Sequence, residues 1–193
     1  MNVLSTGTFT KEKSIFNSII DGEYIKNNKQ GNPIQLFASF DVYYVNNKKY
    51  MNYPLHVEHN DENKEQPISR LYILQNLINV INPYSILEYK SKNEVVPKDK
   101  LHVEFRVKMK SFHATSNNSS IFKACSLILA DVEDSAYEYE TDGLIFTPSD
   151  LYVGASKPEE KMDITSKQNW PYVMKWKPPE FNTIDFLVSV KKD

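Results

Sequence analysis

Apolar and polar residues alternate over residues 34–45, where Leu36, Ala38, Phe40, Val42 and Tyr44 fall at every second position. Side chains of an extended chain point to opposite faces in turn, so this pattern predicts a long strand with those five on one face. Residues 14–25 predict a strand before it, containing Asp21-Gly22-Glu23. The dense turn signal Asn27-Asn28-Lys29-Gln30-Gly31-Asn32 between the two predicts a hairpin. Asn46-Asn47-Lys48-Lys49 predicts a second turn. Beyond a polar, acidic stretch at 56–66, Leu71, Leu74, Leu77 or Ile78, and Ile81 recur at helical spacing, with Pro67 near the start and Asn82-Pro83 as a stop. Residues 88–100 read as a charged linker. The most regular alternation is at 101–110. Leu101, Val103, Phe105, Val107 and Met109 are expected to face a core there, and His102, Glu104, Arg106, Lys108 and Lys110 to face outward. Residues 117–120 could cap a short helix over 121–129. Further strands are predicted near 141–146, at 172–177 and at 183–190. The sum is an α+β fold, antiparallel sheets with helices packed on them.

Composition narrows the function classes. A chain of 193 residues suits one domain, and 40% hydrophobic residues suffice for a core. A formal net charge of −2 excludes a strongly basic polyanion binder, so any contact with nucleic acid has to come from a local patch. Four histidines and one cysteine argue against a zinc site, and His56 and His59 read as parts of a solvated loop. Cys125 lies among apolar residues and is expected to be a buried thiol. A lone cysteine and no secretory leader pattern point to a reducing, cytoplasmic setting. No apolar run reaches the length of a membrane span, so no membrane partner is expected. With five glycines and no Gly-rich phosphate loop, a bound nucleotide would have its phosphates held by side chains.

One stretch offers such side chains. In Met174-Lys175-Trp176-Lys177, extended geometry turns Lys175 and Lys177 to one side, about 7 Å apart, and Met174 and Trp176 to the other. The apolar side is expected to anchor the strand while the ammonium groups meet one anion. An amphipathic edge strand with two solvated lysines is the plainer alternative.

Three stretches then stand in order: Ile20-Asp21-Gly22-Glu23; Phe40-Asp41-Val42-Tyr43-Tyr44-Val45-Asn46; and Thr141-Asp142-Gly143-Leu144-Ile145-Phe146 followed by Lys175-Trp176-Lys177-Pro178 and Asn182-Thr183-Ile184-Asp185-Phe186. With these spacings the chain, from Ser14 onward, resembles the covalent nucleotidyltransferases, the superfamily of mRNA-capping guanylyltransferases and ATP-dependent ligases. The closing motifs are nearer to capping enzymes, and the wording Asp-Gly-Leu-Ile-Phe-Thr-Pro is similar to that of large DNA viruses.

The resemblance implies a nucleotidyltransferase domain of the ligase type, ATP-grasp-like in outline, and assigns roles. Glu23 would bond the ribose hydroxyls. Phe40 would stack on guanine, unless it is simply a core residue beside Val42. Asp142 would help hold Mg2+ or Mn2+, unless it is a turn aspartate. Lys175 and Lys177 would grip the α-phosphate of GTP and stabilise charge building there during transfer. Asp185 would orient a lysine or a water. Lys108 and Lys110 lie on a polar strand face, either solvated or along the triphosphate or RNA path. The implied partners are GTP and the 5′ end of RNA, with adjoining triphosphatase and methyltransferase domains. The implied location is cytoplasmic, in a viral factory or virion if the chain is viral.

In that family a lysine of a Lys-x-Asp-Gly motif attacks the α-phosphate of GTP, forms lysyl-GMP and passes GMP to a diphosphate RNA end. Neither Asp-Gly pair here carries that lysine: the position holds Ile19 before Asp21-Gly22 and Glu140 before Asp142-Gly143. A C-terminal OB-fold lid is also missing. The expectation is therefore a partial domain over 1–193, running from the Asp-Gly-Glu strand to the Lys-Trp-Lys strand, whose attacking lysine lies outside this chain. Two alternatives stand beside it: a nucleotide- or RNA-binding scaffold that lost its nucleophile, and a fragment of an ATP-dependent polynucleotide ligase.

Overall fold

A computed structural model describes residues 15–58, 67–81, 105–115, 120–134, 136–160 and 170–189. The fold is α+β. Its main sheet holds β1 (Ile19–Asn27), β2 (Pro33–Val45), β3 (Lys48–Lys49) and β4 (Arg106–Met109), and a separate ribbon pairs β5 (Leu144–Phe146) with β6 (Met174–Trp176). Among the described residues there are two α-helices, α1 (Arg70–Ile81) and α2 (Ile121–Glu133). Among the described residues no helix is long and apolar enough to cross a membrane.

β1 and β2 form the predicted antiparallel hairpin, closed by Asn28, whose side chain accepts the Gln30 and Asn32 N–H groups. The second turn is as tight as its asparagines allow. Asn46 and Asn47 both take positive φ, 50° and 63°, which is what a two-residue loop between right-twisted strands demands, and β3 follows at once. β4 departs from the antiparallel expectation: it lies parallel to β2, Leu36 to Ser39 beside Arg106 to Met109. A parallel neighbour needs a long crossover, and α1 stands between β2 and β4 in the chain.

β2 has 13 residues and β1 has 9, so the ladder slips three times and β2 carries the extra residue each time. Each slip is a β-bulge that bends the strand and breaks its alternation. The five residues expected on one face are divided as a result. Leu36 and Ala38 join Ile34 in one apolar cluster, against Ile25 and Tyr139. Val42 lies instead in the main core with Leu74, Leu77, Ile78 and Val107, and Phe37, of opposite parity, packs there too.

The main core sits between α1 and the sheet. Ser69 caps α1 by accepting the Tyr72 N–H, and the Leu74 side chain it sends inward is wholly buried; a leucine so buried contributes about 1.5–3 kcal/mol. α2 is capped by Ser120, accepting the Lys123 N–H, and runs four residues past the expected end, to Glu133. Only Ala124 of α2 is buried, so Cys125 is half-buried rather than buried.

Other boundaries shift. Only 106–109 of the expected 101–110 strand are paired, and residues 101–104 lie outside the described residues, as do 82–100, Ser14 and His59. The three-residue β5 and β6 are shorter than expected. Residues 183–189 form no strand, and Ile184, Phe186, Leu187 and Val188 are exposed.

Candidate functional site

The β5–β6 ribbon brings three of the predicted residues together. Lys175 Nζ lies 3.0 Å and Lys177 Nζ 2.8 Å from the same oxygen, Asp142 Oδ2. Lys175 stands in β6 and Lys177 just past it, two residues on, so both reach the same side. Gly143 makes the approach possible. Its φ is +139°, and a Cβ there would collide with the Trp176 carbonyl oxygen, so a side chain would force the segment leading into β5, with Asp142, away from the segment carrying the lysines. Hydrogen bonds from Lys177 and then Lys175 hold the Asp142 carboxyl down at about 2, although all three side chains are partly open to solvent. The apolar side of β6 does not anchor it as expected: Met174 and Trp176 are exposed.

A second group forms on the main sheet. Glu23 on β1 and Lys110, one residue past β4, pair at 2.6 Å, and Lys110 Nζ lies 5.8 Å from the centre of the Phe40 ring. The ladder explains the meeting. Ala38 of β2 stands opposite Glu23 on one side and Lys108 on the other, and the Lys110 N–H donates to the Ser39 carbonyl at 2.8 Å. The half-buried Phe40 is the extra residue of the central bulge, between the pairs Gly22–Ser39 and Asp21–Asp41. It is neither an ordinary core residue nor free in solvent. Its ring is set beside one acid and one base.

The same face continues into a groove of about 360 Å³ lined by Leu36, Ala38, Arg106, Lys108, Lys110 and Tyr139, among others. Arg106 was expected to point outward but is buried here, its guanidinium gripping both carboxylate oxygens of Glu138. That bidentate grip holds the Glu138 carboxyl below its ordinary range. The Glu138 carbonyl accepts the Lys29 N–H at 3.2 Å, fastening this segment over the β1–β2 turn.

A third feature lies beneath the site. Arg70, the first residue of α1 and fully buried, donates from Nε to Asp41 Oδ1 at 2.8 Å and from Nη1 to the carbonyls of Tyr53 at 2.5 Å and Leu151 at 3.0 Å. Burial pushes the Asp41 carboxyl up and Arg70 opposes it. Leu151 follows β5, so Arg70 connects the sheet bearing Phe40 to the segment continuing from the Asp142 ribbon. Sequence reading missed both Arg70 and Asp41. A signal existed for Arg70, which falls on the inward helical stripe with Leu74 and Leu77.

The structure therefore groups Asp142 with Lys175 and Lys177, and Glu23 with Phe40 and Lys110. Asp185 joins neither: it is exposed and makes no ion pair among the described residues. A divalent ion would have Asp142 as its ligand. Among the described residues no three His, Cys, Asp or Glu side chains gather to hold a metal. One or two carboxylates are the usual protein share of a magnesium ion carried mainly by substrate phosphates; the one carboxylate here, Asp142, is engaged by the two lysines.

No protein-family model matches this chain, and no solved structure does. Among curated proteins it is similar to a probable mRNA-capping enzyme of Acanthamoeba polyphaga mimivirus, 26% identical over 208 aligned residues. The match covers 94% of this chain and 16% of that protein. The likeness thus takes in nearly all of this chain and a small part of a much longer one.

Proposed function

We propose that this chain is the nucleotide-binding part of an RNA guanylyltransferase, a partial nucleotidyltransferase domain that holds GTP for GMP transfer to a 5′-diphosphate RNA end. The observation that carries the reading is the convergence of Lys175 and Lys177 on one carboxylate oxygen. Two ammonium groups within 3.0 Å of a single anionic oxygen are arranged as a non-bridging phosphate oxygen requires. The likeness to a probable capping enzyme supports the reading.

In this reading the α-phosphate displaces Asp142 from the lysines; Asp142 would then be the residue to hold a Mg2+ or Mn2+ ion, whose charge would offset that of the phosphates. The base stacks on Phe40, and Lys110 gives up Glu23 so that its carboxylate accepts from the ribose hydroxyls. Asp185 would orient a water or a lysine only after its segment moves toward the lysine pair. The acceptor is the 5′ end of RNA. Triphosphatase and methyltransferase partners, and a cytoplasmic or virion location, belong to the same proposal.

Neither Asp-Gly pair supplies the attacking lysine, which favours one second reading: a scaffold that binds nucleotide or RNA without chemistry. Equilibrium titration with GTP and ATP, each with magnesium, followed by denaturation after radiolabelled GTP, tests both. The expected result is reversible binding that prefers GTP, with no covalent label on this chain. Adding a segment that bears Lys-x-Asp-Gly should bring labelling on that segment's lysine, and continued absence of label would favour the scaffold. A preference for ATP, or no nucleotide binding at all, overturns the proposal.

A further inference from the structure

Phe40 has no partner across the β1–β2 ladder, because Ser39 pairs with Gly22 and Asp41 with Asp21. A bulge residue is not oriented by the ladder, so its direction is set by what holds its two neighbours. Ser39 is held by β4: its Oγ donates to the Lys108 carbonyl at 3.0 Å, and its own carbonyl accepts from Lys110. Asp41 is held by two donors on one oxygen, the Val42 N–H at 2.7 Å and Arg70 Nε at 2.8 Å. Arg70 in turn is fixed to the Tyr53 and Leu151 carbonyls. A guanidinium anchored to three separate segments therefore determines where Asp41 lies, and the next residue back is Phe40.

Stability alone is a poor reason for this pair. Taking two charges out of water costs much of what their attraction returns, and well-packed apolar side chains of similar volume often serve as well. Arg70 Nη2 is also buried with no partner among the described residues, a further cost. What the pair adds is geometry.

We infer that Arg70 is a positioning residue for the nucleobase: through Asp41 it fixes the direction in which Phe40 presents its ring beside Glu23 and Lys110. The inference rests on the nucleotide reading of Phe40 and assigns Arg70 no contact with the ligand.

The test compares two probes, GTP and inorganic tripolyphosphate, on the 193-residue chain. Tripolyphosphate addresses the lysine pair without needing a stacking platform. The variant is the paired substitution Arg70→Met with Asp41→Leu, which removes both charges together and leaves neither buried alone. Expected are a melting temperature near that of the unsubstituted chain, an affinity for GTP lower by about tenfold, the scale of a lost base stack, and unchanged affinity for tripolyphosphate. Combining the pair with Phe40→Ala should cost no more than Phe40→Ala alone, because both act through one ring. Arg70→Lys keeps the charge beside Asp41 but not the planar fork that spans three segments, and it carries the test if the paired variant fails to fold: lower GTP affinity with unchanged tripolyphosphate affinity is expected, and unchanged GTP affinity overturns the role. Equal loss of both probes, or losses that add to that of Phe40→Ala, makes Arg70 structural only and also overturns it. If the unsubstituted chain binds tripolyphosphate but shows no preference for GTP, the nucleotide reading fails first, and the positioning role with it.

Discussion

Lys110 Nζ and Glu23 Oε2 are 2.6 Å apart, beside the ring of Phe40. The acid proposed to hold the ribose is thus already engaged by a lysine from another strand. Phe40→Ala should weaken GTP binding by about 5- to 100-fold, the range of a lost base–aromatic stack, whereas Phe40→Tyr should stay within about twofold. Isothermal titration of both variants checks this, and equal losses would return Phe40 to a packing role.

The two lysines on Asp142 leave a spectroscopic mark. With both hydrogen bonds in place its carboxyl titrates at about 2. Lys177→Met removes the larger cause and should raise that midpoint toward the ordinary aspartate value of about 3.9, as followed by the carboxyl carbon shift. The same variant should lose affinity for tripolyphosphate, while Lys108→Ala should lose little.

Gly143→Ala tests whether close backbone approach assembles the lysine–aspartate group. The added methyl has no room against the Trp176 carbonyl. It should separate β5 from β6, return Asp142 toward its ordinary titration and weaken tripolyphosphate binding. The core of Val42, Leu74 and Val107 lies elsewhere, so its cooperative melt should persist.

The Arg106–Glu138 pair gives a pH signature of known sign. The folded-state carboxyl of Glu138 is held below its ordinary value, first by the Arg106 hydrogen bonds. Its stabilisation is therefore present above the unfolded pKa, about 4.3, and is lost as pH falls through the lower folded value. Glu138→Gln should melt below the unsubstituted chain at pH 7 by no more than about 1 kcal/mol, because Glu138 is 40% exposed. The gap should begin to narrow as pH falls past the unfolded value and close below the lower folded one.

Much of the fold was legible because its signals are local. Helix α1 follows from leucines at helical spacing, and the β1–β2 hairpin from its asparagines. The bulge at Phe40 was not legible, since an extra residue in one strand shows only against its partner's length. Arg106 alternates correctly with Val107 and still goes inside, because Glu138, 32 residues later, neutralises it. Within the site, Asp142, Lys175 and Lys177 could be nominated from their motifs, but their convergence depends on Gly143. Lys110 read as solvated or along a triphosphate or RNA path, and not as the partner of Glu23, because the pairing of β4 with β2 that carries it there joins strands far apart in sequence. The expected strand at 183–190 does not form: residues 183–189 carry no secondary structure, because they find no partner strand among the described residues.

Asp142 also bears on how the lysine pair responds to salt. Bare ammonium groups collect anions from the buffer and release them when a phosphate binds, which makes affinity fall steeply with ionic strength. Here the resident anion belongs to the chain and sits 2.8 Å from Lys177. Binding becomes an exchange of a tethered carboxylate for a phosphate, with few small ions set free. Chloride, singly charged and untethered, competes poorly for that place, while a triphosphate, which brings several linked charges, can take it. The site would therefore discriminate by valence, and its affinity would fall less steeply with salt than two lysines alone would suggest.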